Sequence, residues 1–127
     1  MPNQDPIFQP LEFRHLTVKN RLFRSSINGR WDNYDGSGNQ CRVNWEEKFA
    51  RGGIGAIISS FVPVHVRGRI LPNYAMIDAD DKIPFWRAVG EKVHEYGCKF
   101  IMQLSHSGRQ RDVPGVENHM KPGLSST

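Results

Sequence analysis

The sequence predicts an α/β chain, a short β-hairpin followed by alternating β-α-β-α-β segments with parallel strands. Three observations lead there. Residues 54–60, IGAIISS, form a short β-branched apolar run, the composition of a strand buried on both faces. Ile83, Trp86, Val89, Val93 and Tyr96 recur every three or four residues, the stripe of an amphipathic helix. The connections are also unequal. Helix-to-strand joints are about two residues long, whereas strand-to-helix loops run to about fifteen or twenty, a length uncommon unless the loop is functional.

Taken in order, residues 6–22 open the chain. Leu11, Phe13, Leu16 and Val18 flank His15 in two short extended runs, the pattern of a small hairpin. A further extended run over 22–27 ends in Ser25, Ser26 and Asn28, small polar groups with good hydrogen-bonding reach. Residues 29–43, rich in Gly, Asp and Asn, read as a long loop. Gly36 and Gly38 make a G-x-G without the third glycine or the preceding strand of a dinucleotide fingerprint, so they read as turn chemistry. A short helix is expected over 44–51, with Asn44 as its cap, Glu47 completing a capping box, and Gly52-Gly53 as its stop. Trp45 and Phe49 lie one turn apart on it. After the 54–60 strand comes a loop over 61–80. Asp81 opens a second helix, Pro84 is tolerated in its first turn, and Gly97 ends it.

Residues 99–110, KFIMQLSHSGRQ, carry the strongest chemical signal. Phe100, Met102 and Leu104 alternate with Ile101, Gln103 and Ser105, a strand entering a polar loop. A side-chain amide presents two donors and one acceptor in a plane, which suits the edge of a heterocycle. The competing reading is a buried Gln bonded to nearby backbone. Parallel α/β folds place function at the C-terminal ends of their strands, and the long loops, the terminal serines and Gln103 gather at that end. No further strand or helix is expected over 109–127.

Composition excludes several classes. The 127 residues suit one domain with a modest core. No apolar run approaches the roughly 20 residues that span a bilayer, and the N-terminus lacks the pattern of a signal peptide. The net charge of +4 is scattered, which suits an anionic small-molecule ligand better than nucleic acid. Cys41 and Cys98 lack metal-ligand spacing, so free thiols in a reducing, cytoplasmic setting are expected, with no disulfide and no metal. His15, His65, His94 and His119 read as surface residues, and Trp45, Phe49 and Trp86 as packing between helix and sheet.

Three stretches also resemble the FMN-dependent Old Yellow Enzyme type of NADH:flavin oxidoreductase. FQPLEFRHLTVKNRL is similar to that family's opening hairpin. ARGGIGAIIS, continuing to GRI, resembles its second strand and loop. DDKIPFWRAVGEKVHEYGCKFIMQLSHSGRQ resembles its second helix, third strand and His-x-Gly-Arg loop. The resemblance implies that 1–127 is the N-terminal part of an FMN-binding (β/α)8 TIM barrel, the hairpin plus about three βα units. It implies FMN as cofactor, NADH or NADPH as reductant, and hydride transfer through the flavin to an electron-poor small molecule. Ser25, Ser26, Ile27 and Asn28 fall where the family lines the flavin ring. Ser60 and Phe61 fall where its second strand ends beside the flavin, and Gln103 where an amide pairs with the pyrimidine edge. Arg30 falls in a loop over the site. His106 and Arg109 match the loop signature.

Departures are visible. Asn28 stands where many members carry Thr or Cys, Ser26 replaces a common Pro, and Phe61 a common Ala or Gly. The family's catalytic acid and substrate-anchoring residues are expected beyond Thr127, so the partner implied is the remainder of the barrel or a homo-oligomer. The alternatives are a barrel fragment or association module without the chemistry, and a phosphate-binding barrel enzyme without flavin.

Overall fold

The computed structural model describes residues 5–108. Two antiparallel strands come first, β1 (Leu11–Phe13) and β2 (Leu16–Val18), paired Leu11 to Val18 and Phe13 to Leu16. A parallel three-stranded sheet follows in the order β3 (Phe23–Arg24), β4 (Ala56–Pro63), β5 (Lys99–Ser105). Helix α1 (Gln40–Arg51) joins β3 to β4, and α2 (Ile83–His94) joins β4 to β5.

The predicted β-α-β-α-β order is present, with four changes of boundary. Helix α1 starts at Gln40, and its cap is Asn39, whose side chain accepts from the Cys41 amide. The expected cap, Asn44, lies inside the helix and accepts from Gln40 Nε2 at 2.8 Å. Glu47 accepts from the Tyr96 hydroxyl at 2.7 Å in place of closing a capping box. Strand β4 runs on to Pro63, and β3 has only two residues, so 25–28 is irregular backbone. A 3-10 turn over Asp80–Lys82 leads into α2, and Ile83 is exposed outside its buried stripe. The expectation for 109–127 lies outside the described residues.

Both helices cover one face of the sheet. Ala50 of α1, Val93 of α2, Ile57 of β4 and Cys98 form one buried cluster. Val62 of β4, Trp86 and Val89 of α2, and Ala75 form a second, and Phe100 packs against both. Each fully buried Val or Ile here contributes about 1.5–3 kcal/mol. Trp86 joins by its ring, as the stripe predicts, and its indole N–H donates to the Met76 carbonyl at 2.9 Å.

The hairpin sits at the N-terminal end of the strands. Asn20, 8% exposed, donates to the Gly53 carbonyl at 2.8 Å and accepts from the Leu22 amide at 3.1 Å. Lys19 donates to the Tyr96 carbonyl at 2.6 Å. Gly53 and Tyr96 each precede a strand, so these bonds close that end of the sheet.

One irregularity re-aims the other face. Ile58 pairs with Ile101, but Phe61 pairs with Gln103, so Ser59 and Ser60 together oppose Met102 in a β-bulge. Strand side chains alternate with period two, and one extra residue shifts everything after it to the opposite face. Val62 thereby points to the helices, and Phe61 shares the uncovered face with Ile58, Ile101 and Gln103.

Candidate functional site

The uncovered face and the C-terminal strand ends hold most of the candidate residues. Arg24 pairs with Ile57, a residue of the helix-covered face. Ser25 follows Arg24 directly, where β3 gives way to irregular backbone. Ser25, Ser26 and Ile27 are exposed, as is Gln103 of β5. The Gln103 backbone N–H donates to Ser59 Oγ at 2.9 Å. Its side-chain amide has no hydrogen-bond partner among the described residues.

The 25–31 segment has defined internal geometry. Asn28 Oδ1 accepts from the Arg30 amide at 2.9 Å, and its Nδ2 donors have no partner among the described residues. Arg30 adopts φ +55°, a left-handed conformation that L side chains rarely take. Gly29 is required by crowding, because a Cβ there would lie 1.4 Å from the Trp31 indole nitrogen. Trp31 turns toward α1 and packs on Trp45 at 5.3 Å between ring centres. It lines a surface groove of about 310 Å³ with Cys41, Asn44, Trp45 and Lys48.

Phe61 leans edge-on against buried Tyr74 at 5.4 Å. The bulge and this contact accommodate its bulk where a small residue was expected. Ser60 is 1% exposed, inside the bulge. The loop after β5 is tied to the loop after β4, since the Ser107 amide donates to the Gly68 carbonyl at 3.0 Å. His106 Nδ1 accepts from the Gly108 amide at 3.0 Å, and His65 Nδ1 from the Arg67 amide at 3.1 Å. In a neutral ring so bonded the proton sits on Nε2. The two rings lie 6.3 Å apart. Arg109 lies outside the described residues.

Gly36 closes a turn, its amide bonded to the Asn33 carbonyl, and Gly38 follows in irregular backbone. Cys41 is exposed and Cys98 buried, both free. Burial pushes the Cys98 thiol above its ordinary value. Among the described residues no cluster of ligating side chains suits a metal ion, and no helix is long and apolar enough to cross a membrane.

Residues 6–125 match the sequence profile of the NADH:flavin oxidoreductase / NADH oxidase family. The chain belongs to that family. It is 31% identical over 117 residues to an NADH oxidase of Thermoanaerobacter brockii, covering 91% of this chain and 18% of the relative. It is 32% identical over 111 residues to an NADPH dehydrogenase of Geobacillus sp. (strain WCH70), covering 86% of this chain and 32% of that one. The chain thus spans a third or less of these curated relatives. The Old Yellow Enzyme homologue of Zymomonas mobilis superposes with a TM-score of 0.77 at 27% identity, over 91% of this chain and 32% of that one. The fold is accordingly the hairpin and first three strands of a TIM barrel, and the uncovered sheet face is the barrel's interior side. FMN is the family's cofactor and NAD(P)H its reductant.

The residues present fit a flavin edge. An exposed, unengaged amide at Gln103 and the unengaged Nδ2 of Asn28 are planar donors after the C-terminal ends of β5 and β3. Sequence reasoning missed Ser59, whose hydroxyl holds the Gln103 backbone. It also missed Arg24, Asp32, Arg42 and Glu46, four buried charges behind the 25–31 segment.

Proposed function

We propose that this chain supplies one side of the FMN site of an NAD(P)H-dependent oxidoreductase that reduces an electron-poor small molecule. The observation that carries this reading is the free Gln103 amide on the interior face of a sheet whose first strand runs into exposed Ser25, Ser26 and Ile27 and half-buried Asn28. When bound, FMN supplies two-electron hydride chemistry. The chain's own residues bind and orient it. Gln103 and Asn28 donate hydrogen bonds to a ring edge that gains negative charge on reduction. Ser60 and Phe61 shape the floor beside it, and Arg30 and His106 border the mouth. A morphinone reductase solved with tetrahydroNAD shares the fold at 25% identity and a TM-score of 0.71, which supports a nicotinamide reductant.

The outer edges of β3 and β5 have no strand partner among the described residues, and Leu104 is 61% exposed at the β5 end. Such edges pair with further strand. The partner proposed is therefore the rest of a barrel, and two unpaired thiols suit a cytoplasmic setting. The test is FMN titration followed by absorbance after desalting, in wild type and Gln103→Ala. Retained flavin with at least a tenfold weaker dissociation constant in the variant is expected. Equal retention by both proteins, or none by wild type, refutes the assignment.

A further inference from the structure

Two arginines and two carboxylates lie buried together behind the 25–31 segment. Their side chains are 0–5% exposed. Arg24 is the last residue of β3, and its guanidinium is paired with Glu46 of α1. Asp32 closes the segment at the other end. Its carboxylate accepts two bonds from Arg42 of α1, at 2.5 Å and 3.3 Å. Arg42 also reaches Glu46 at 3.4 Å, one helical turn along, so the four groups form a single charge-balanced chain. The Arg24 guanidinium lies 5.0 Å from the centre of the Phe49 ring.

The placement is specific. The network grips the residue just before Ser25 and the residue just after Trp31, and both grips end on the same face of α1. Three neutral contacts reinforce the far end. Asn39 Nδ2 donates to the Trp31 carbonyl at 2.7 Å, Asn73 Nδ2 donates to the Asp32 carbonyl at 2.9 Å, and the Trp31 ring packs tilted against Trp45. The segment between the grips is irregular, mostly exposed backbone carrying a left-handed Arg30. An irregular segment with a strained residue holds one shape only where its surroundings over-determine it. A buried ion network is a costly way to gain stability, since well-packed apolar groups do as well. Its use here is directional, because charged forks fix both partners in angle as well as distance.

We infer that Arg24, Asp32, Arg42 and Glu46 are positioning residues that clamp the cofactor-lining segment to α1 at both ends. This assignment deepens the proposed function and rests on it for the identity of the cofactor. Burial pushes the Glu46 carboxyl above its ordinary range and pulls Arg24 below its own, against the attraction between them. Removing one member therefore strands charge in a dry site.

The test is Asp32→Asn, which keeps the shape and removes the charge that Arg42 grips at the far end. Backbone order parameters for 25–31 and the FMN dissociation constant are measured on the same samples. Order parameters in 25–31 should fall from about 0.85 to below about 0.6, with β4 and β5 unchanged. FMN binding should weaken about tenfold. Loosening throughout the chain would make the network a general stability element and overturn the clamp, as would an unaltered segment. Should Asp32→Asn not fold, Arg42→Lys is read by the same measures, because lysine keeps the charge and loses the fork. If wild type binds no FMN, the cofactor assignment fails, and the order parameters still decide the clamp.

Discussion

Replacing Ser59 by Ala should destabilise the chain by about 2–4 kcal/mol, although it deletes a single oxygen. The figure follows from what that oxygen does. Ser59 is fully buried in the bulge of β4. Its hydroxyl accepts from the Gln103 backbone N–H at 2.9 Å and donates to the Ser60 carbonyl at 2.8 Å. The bulge removes the ladder carbonyl that would otherwise serve Gln103, so the hydroxyl stands in for it. Alanine leaves that N–H without an acceptor at a cost of about 1–3 kcal/mol, and one net hydrogen bond worth about 1 kcal/mol is lost at Ser60. Urea unfolding followed by circular dichroism reads the sum. With a slope of about 1 kcal/mol per molar for a chain this small, the midpoint should fall by about 2–4 M. Amide exchange at Gln103 should accelerate in parallel. A loss below about 0.5 kcal/mol, or full protection of the Gln103 amide in the variant, would refute the reasoning.

Two other outcomes follow from local geometry. Gly29→Ala places a methyl group where the Trp31 indole lies, so Trp31 must leave Trp45, and tryptophan emission should shift to the red. Unchanged emission would mean that the contact survives and the crowding argument fails. Cys98 governs part of the alkaline limb of stability. Its folded thiol titrates above the ordinary value because it is buried. Above about pH 8.5 the unfolded state has therefore lost a proton that the folded state retains. Stability falls as pH rises through that window, by at most about 1.4 kcal/mol per pH unit from this group. Cys98→Ala should flatten the fall in urea midpoints between pH 8 and 10 (roughly, as for any thiol), and parallel curves would remove Cys98 from the account.

The sequence by itself determined the order and type of the elements. The α2 stripe, the β-branched run of β4 and the alternation of β5 are periodic signals carried by neighbouring residues, and each survives in the structure. It also carried the motifs by which the family was recognised. Boundaries were less legible. Asn44 and Glu47 satisfy a capping pattern, but Asn39 caps α1 because a turn bonded through Asn33 and Ser37 delivers the chain there.

Only the tertiary structure decided how the site is held. The bulge at Ser59 and Ser60 exists because β5 pairs in a particular register, and no property of IISSFVP alone places it. It sets the face of Phe61 and fixes the Gln103 backbone. The four buried charges were equally hidden. Arg42, Glu46 and Ala50 do follow one another at helical spacing, but an Arg and a Glu on a helix ordinarily signal its wet face. They are buried because Arg24 and Asp32, from distant parts of the chain, arrive to neutralise them. A charge enters a protein interior only when partners meet it there, and that meeting is a property of the folded chain.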